Sequence, residues 1–408
     1  MASDGDGQAT LPNGQSLYIP GTLPGEHVHP GPLTRRNQAW SADALAIAGP
    51  SPDRVTPPCR HFGPCGGCTV QHLADPAYVT WKQGLLADAL RTLGYAAALP
   101  PMGRTPPRAR RRMDLAIRRE NGAVRIGLHT RRSSSVVDMQ ECPVLHPALF
   151  NLLTELRLVL RSLSALKREG SAIVNLLDDG PDLLLRTDGN LTAPDRIRLA
   201  DLATRLTLPR ISWARGEHGL PEPACALRPA LATFGGHTST IPPGAFLQAS
   251  REGETAVQSA ILAALPRLKA RALVFELFAG VGTLTHALST VARVQAFEGD
   301  QAAVQALRTA ANPRVLVTQR DLARQPLQPP ELKPASAIVL DPPWTGAAEQ
   351  MPTLAASGLP IVYVTCNPQA LARDARPLLA AGYRVTSAVA IDQFLWSARV
   401  EGVVAFQR

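Results

Sequence analysis

The sequence predicts an α/β chain: a C-terminal unit on a mostly parallel sheet, a central α+β unit and a small N-terminal β unit. Three observations carry this. After Ile241-Pro-Pro-Gly244, short apolar runs alternate with helical stretches, the pattern of a parallel sheet with crossover helices. Between Arg110 and Val137 apolar and polar residues alternate as in strands. Residues 1–52 are dense in Gly and Pro around brief β-like runs, Ser16–Ile19 and Ala39–Ile47.

In chain order, the turns at Gly21, Pro24-Gly25 and Pro30-Gly31 fit either a small β-barrel or a loose tail. A helix follows, with Asp75 as N-cap and Pro76 at its first position. Tyr78, Trp81, Leu85, Leu86 and Leu90 make one apolar face, and Gly94 ends the helix. Met113–Ile117 and Val124–Leu128 read as strands, and about 148–165 as a helix. Beyond a linker near 241–252 come a helix at about 253–265 and strands at Ala272–Phe275, Val294–Phe297, Val315–Val317, Ala337–Leu340, Ile361–Val364 and Gly402–Phe406. A helix at Ala302–Ala311 falls between the second and third of these. The expected units are 1–52, 53–245 and 246–408, without internal repeats.

The 408 residues suit two to three domains at ~150 residues each. With 45% hydrophobic and 18% charged residues the chain is globular rather than disordered or fibrous. No apolar run approaches the ~18 residues of a membrane span. The start, Met1-Ala-Ser-Asp-Gly-Asp, has neither the basic end nor the apolar stretch of a secretory signal, so a cytoplasmic location is expected. The net charge of +9 favours a polyanionic partner. Basic residues cluster: ten arginines and only two acids lie between Arg104 and Arg132, pointing to a nucleic-acid face.

The strand at 272–275 runs into Glu276-Leu-Phe-Ala-Gly280-Val-Gly282-Thr283. Glycines there let the backbone turn tightly and approach a ligand at the sheet's carboxyl edge. Glu298 ends the next strand, where a carboxylate can hold two ribose hydroxyls. No G-x-G-x-x-G is present, so S-adenosylmethionine is favoured over NAD. Asp341-Pro-Pro-Trp344 and Thr365-Cys366-Asn367-Pro368 end the following strands and open on the same side. A cysteine so placed can act as a nucleophile once deprotonated. Glu401, before the last strand, is read either as a general base or as a surface residue. Six cysteines are too few for a disulfide scaffold. Three of them, Cys59, Cys65 and Cys68, crowd into ten residues, which suggests a metal or cluster site.

Together these motifs resemble the uridine-C5 RNA methyltransferases that use S-adenosylmethionine, specifically their iron–sulfur branch, over about residues 10–408. The resemblance implies a Rossmann-like class I methyltransferase domain at the C-terminus, a central α+β iron–sulfur domain and an N-terminal RNA-binding TRAM barrel, here poor in basic residues. Cys59-Arg-His-Phe-Gly-Pro-Cys65-Gly-Gly-Cys68, with Gln71-His72 behind it, matches the cluster motif, and Cys142 the fourth ligand. Four thiolates suit a [4Fe–4S] cluster, with zinc as the chemical rival. Gln248 in Phe246-Leu-Gln248, Phe278, Gly280, Gly282, Glu298 and Asp341 match cofactor positions. Thr283 and Asp321 fall where the family commonly has Asn. Cys366 is implied as the nucleophile, Glu401 as the base and Asp341 as its positioning partner. Two departures stand out: Trp344 where the family usually has Arg, and Arg399 where it usually has His.

The expected activity is methyl transfer to C5 of an RNA uridine, in 23S ribosomal RNA before transfer RNA, by a monomer without membrane contact. Two rivals remain at this level. Asp-Pro-Pro-aromatic is a pattern of amino-group (adenine) methyltransferases, and a non-catalytic RNA-binding ribosome-assembly factor could keep the fold.

Overall fold

The computed structural model describes all 408 residues. The C-terminal sheet has eight strands in the order Val315–Gln319, Arg293–Glu298, Leu273–Leu277, Ala337–Leu340, Ile361–Thr365, Glu401–Gln407, Arg384–Asp392, Gly103–Arg104. The first five are mutually parallel, as the strand–helix alternation requires. Glu401–Gln407 then inserts antiparallel between Ile361–Thr365 and Arg384–Asp392. That insertion puts the start of the last strand beside the carboxyl end of Ile361–Thr365, with Thr365 opposite Gly402. The central strands Ala337–Leu340 and Ile361–Thr365 are buried throughout, consistent with their unbroken apolar sequence.

The second sheet has six strands in the order Glu222–Ala226, Arg210–Arg215, Gly180–Thr187, Glu169–Leu177, Arg112–Glu120, Ala123–Gly127. The helix Pro147–Ser162 buries Leu149, Leu152, Leu153, Leu156 and Leu160 against it. Those leucines recur three and four residues apart, the spacing that makes one helical stripe. Residues 1–52 are ordered β structure: a four-stranded sheet of Gly7–Thr10, Ser16–Ile19, Ala39–Ser41 and Thr34–Arg36, and a ladder of His27–Pro30 with Ala44–Ala48. No helix is long and apolar enough to cross a membrane.

Three local expectations change. The helix spans Asp75–Thr92, and Ala74 occupies the N-cap position without a side-chain cap. Asp75 does not cap because its carboxylate takes two hydrogen bonds from the Arg104 guanidinium, at 2.9 and 2.6 Å. On the buried face, Trp81 and Leu85 are only partly covered, whereas Lys82 is fully buried. Arg384–Asp392, unassigned from sequence, is a nine-residue strand. The helix 75–92 packs Leu86 and Leu90 into the core of the C-terminal sheet, and Gly103–Arg104 adds its edge strand. This sheet therefore recruits sequence from both sides of the central unit.

Candidate active site and the cysteine-lined cavity

The glycine turn follows the strand Leu273–Leu277. Phe278, Gly280 and Gly282 all have positive φ, at 65°, 55° and 96°. At Gly282 the conformation favours glycine, and a Cβ would also lie 2.4 Å from Leu307 Cδ1, a side-chain end that would have to shift. At Gly280 only the conformation favours it. Glu298 ends the neighbouring strand and reaches into this turn: Oε2 accepts from the Gly280 N–H at 2.7 Å and Oε1 from the Asp300 N–H at 2.8 Å. Thr283 begins the next helix and is nearly buried, its carbonyl accepting from Gln258 Nε2 at 2.9 Å. Phe278 packs on the core and helps line a cavity of about 260 Å³ with Pro343 and Ala347. Asp321 lies one strand further out, exposed, its Oδ1 accepting from the Ala323 and Arg324 N–H groups.

The other strand ends converge. Gln248 donates from Nε2 to Asp341 Oδ2 at 3.1 Å. Gln393 donates from Nε2 to Gln248 Oε1 at 2.8 Å and to Glu401 Oε2 at 2.5 Å, and its own Oε1 accepts from the Ala249 N–H. A continuous chain of side chains thus links Asp341, Gln248, Gln393 and Glu401. Glu401 is buried, not a surface residue. Burial and the Asp341 charge push its carboxyl well above the ordinary range, and burial raises Asp341 to about 6. Cys366 sits after the strand Ile361–Thr365, half-buried. Burial, Glu401 and Asp341 push its thiol up to about 12, and Arg399 acts the other way. Asn367 fixes the Cys366 turn: its Oδ1 caps the helix Pro368–Asp374, and its Nδ2 donates to the Trp344 carbonyl at 3.0 Å.

The structure brings Gln248, Asp341, Cys366 and Glu401 into one cluster and Gly280, Gly282 and Glu298 into another at the same sheet edge. Asp321 is on the periphery. Sequence reasoning passes over three participants. Gln393 carries no motif of its own. Glu276, at the end of the first strand, is buried with both carboxylate oxygens unpartnered, and burial followed by the Asp341 and Glu298 charges raises it to about 8. Arg111 belongs to the arginine run yet is 2% exposed; Nε donates to the Gln248 carbonyl at 3.0 Å and the guanidinium pairs with Glu254.

That run is not one solvent face. Arg104 pairs with Asp75, Arg118 with Glu169, and Arg131 and Arg132 with buried Asp6. Arg110, Arg112, Arg131 and Arg132 nonetheless line a cavity of about 780 Å³, which Arg399 also borders. Cys59, Cys65, Cys68 and Cys142 line the same cavity. The Cys59–Cys68 turn is tied to the segment before Cys142 by the Gln140 N–H donating to His61 Nε2 at 3.0 Å and by the Arg60 N–H to Glu141. Burial raises all four thiols, Cys68 to about 12, and neighbouring cysteine charges raise Cys59, Cys65 and Cys68 further, while the Arg110 charge acts the other way on Cys142. As placed, no three His, Cys, Asp or Glu side chains converge closely enough to hold a metal ion. The donor chemistry fits a thiophilic centre, since each thiolate would relieve its burial cost on a cation.

Residues 331–408 match the family model described as tRNA (Uracil-5-)-methyltransferase. An RNA methyltransferase of Brucella suis is 38% identical over 100% of this chain and 96% of its own length. The 23S rRNA (uracil(1939)-C(5))-methyltransferase RlmD of Halomonas elongata is 33% identical over 100% of this chain and 88% of its own. In fold, the chain matches the crystal structure of Pyrococcus abyssi tRNA (uracil-54, C5)-methyltransferase in complex with S-adenosyl-L-homocysteine. The TM-score is 0.75 at 20% identity, over 99% of this chain and 100% of that one. By its relatives at 38% and 33% identity over its whole length, this chain belongs to the family of RNA (uracil-C5)-methyltransferases.

Proposed function

We propose that this protein methylates C5 of a uridine in 23S ribosomal RNA through a covalent adduct between Cys366 and C6 of the base. The observation that carries this reading is the grouping of one thiol with two raised, linked carboxyls, Asp341 and Glu401. C5 of uracil is a poor nucleophile. When sulfur bonds to C6, the C5=C6 electron pair moves toward C5 and O4, and C5 becomes able to attack. S-adenosylmethionine supplies an electrophilic methyl on a sulfonium. Glu401 then takes the C5 proton, the C5=C6 bond re-forms and the S–C6 pair returns to Cys366. A carboxyl held high by burial suits this step, because its base strength lies nearer neutrality. Gln248, through its link to Asp341, and the backbone at Gly280 and Gly282 border the cofactor, with Glu298 set for its ribose. Phe278, Thr283 and Asp321 complete that binding set in this reading.

The large-subunit RNA assignment rests on the Halomonas relative, with transfer RNA as the alternative. The amino-group reading gains nothing from the structure, because one face of Trp344 is covered by the Arg399 guanidinium at 4.7 Å. Cys59, Cys65, Cys68 and Cys142, on the wall of the arginine-lined cavity, would hold a [4Fe–4S] cluster, which would staple two distant segments. Iron and sulfide analysis of anaerobically purified protein distinguishes it from zinc. The units 1–52, with a TRAM-like barrel, 53–245 and 246–408 would act as RNA grip, RNA platform and catalytic body of a cytoplasmic monomer. Deleting the gene and quantifying modified nucleosides in separated RNA fractions tests the function. Loss of 5-methyluridine from ribosomal RNA is expected; loss of a methylated adenine would overturn the reading.

A further inference from the structure

Trp344 and Arg399, two side chains flanking Asp341 and Glu401 in sequence, touch each other. The Arg399 guanidinium lies 4.7 Å from the centroid of the Trp344 ring, a stacking distance for a cation over an indole. Both belong to segments that carry the chemistry. Trp344 is three residues beyond Asp341, and its carbonyl is bonded by Asn367, the neighbour of Cys366. Arg399 is two residues before Glu401. The segment carrying Arg399 is itself anchored: buried Lys82 donates to the carbonyls of Phe394 and Ser397, each at 2.8 Å, and the Arg399 N–H donates to Ser397 Oγ at 3.2 Å. The backbone at Arg399 is thereby held, and its exposed guanidinium rests on the Trp344 ring.

Three charged groups lie on the segments around Cys366: Glu401 at the start of the last strand, whose Gly402 pairs with Thr365, Arg399 just before it, and Asp341 after the neighbouring Ala337–Leu340. Two are carboxyls and one is a cation. Addition of Cys366 to a pyrimidine needs sulfur to be anionic first and then carries that charge onto the ring at C5 and O4. A site with two carboxyls and no cation would oppose both stages.

We propose that Arg399, held flat on Trp344, is the cation that sustains the Cys366 thiolate and the negative charge it delivers to the uracil ring. This rests on the adduct reading above. Trp344 is a positioning residue, since it acts by fixing the guanidinium. The thiol proton leaves to water, the sulfur–C6 bond forms, and Arg399 neither gains nor loses a proton at any stage.

The test is the rate at which iodoacetamide alkylates Cys366, read on its own peptide by mass spectrometry at one alkaline pH, without RNA. This readout needs neither turnover nor the correct RNA substrate. Arg399→Gln should slow alkylation about tenfold, the effect of roughly one pKa unit. Arg399→Lys should restore most of the rate, and Trp344→Leu should fall between. S-adenosylmethionine affinity should stay unchanged in all three. An Arg399→Gln rate equal to wild type overturns the proposal, as does a lysine variant as slow as the glutamine. Failure of the adduct reading appears separately, as methyl transfer that survives Cys366→Ser.

Discussion

At the level of single residues, Cys366 and Glu401 carry the account. Cys366→Ser should abolish methyl transfer while leaving S-adenosylmethionine binding nearly intact, which equilibrium dialysis and a methyl-transfer assay check together. Glu401→Gln should accumulate the protein–RNA adduct, because the C5 proton has no acceptor; a variant forming no adduct would argue against the base role. Glu276 offers a purely thermodynamic prediction. Its carboxyl is raised from 4.5 to about 8, so the folded state holds a proton that the unfolded state releases. Its cost to stability is absent below pH 4.5, grows as pH rises and levels off above about 8. Thermal melting against pH should show Glu276→Gln gaining on wild type across that window, with no difference in acid.

Which of these residues the sequence reveals follows from how each is held. Gly280, Gly282, Glu298, Asp341 and Cys366 sit at the ends of strands whose apolar runs are readable, so their position at the sheet edge follows from local pattern alone. Gln393 and Arg111 act through partners far along the chain, Gln248 in both cases, and nothing in their neighbours announces it.

Among the elements, the helix Asp75–Thr92 is the least expected contributor. Its Lys82 ammonium lies 2.9 Å from Asp392 Oδ1, both side chains fully buried, and Tyr78 donates its hydroxyl to Asp392 Oδ2 at 2.5 Å. Tyr78 in turn accepts from the Trp396 N–H at 2.9 Å. The helix therefore clamps the segment from Asp392 to Glu401 that carries Gln393 and Arg399. Periodicity places Tyr78 and Leu86 on the inner face correctly but cannot tell a buried lysine there from an exposed one. Its partner is more than three hundred residues away. Lys82→Met strands the Asp392 carboxylate and should cost about 3–5 kcal/mol in urea unfolding, whereas Lys82→Met with Asp392→Leu should recover much of that. The glycine turn is also constrained: the left-handed φ of 96° at Gly282 means that Gly282→Ala should cost about 1–2 kcal/mol in urea unfolding, with Leu307 Cδ1 shifting aside.

For the whole molecule, the arrangement divides the basic excess behind the net charge of +9 between structural ion pairs and a cavity wall. Composition showed the excess of arginine but not its division between structural pairs and the cavity wall, which depends on partners such as Asp6 and Glu169. Phosphate binding releases counterions, so RNA affinity should fall steeply with salt. Exposed Arg36 lies on the wall of the large cavity, and Arg36→Gln should reduce the log–log salt slope by about one. An unchanged slope would remove the N-terminal sheet from the RNA path.

Covalent catalysis by Cys366 is the central claim, and trapping tests it most directly. RNA carrying 5-fluorouridine at the target position, incubated with the enzyme and S-adenosylmethionine, cannot release the base at the elimination step because C5 bears no removable proton. Peptide mapping should find the methylated fluoropyrimidine bonded to Cys366, and Cys366→Ser should give none. An enzyme that turns over ordinary RNA yet gives no Cys366 adduct with the fluorinated RNA would contradict the account.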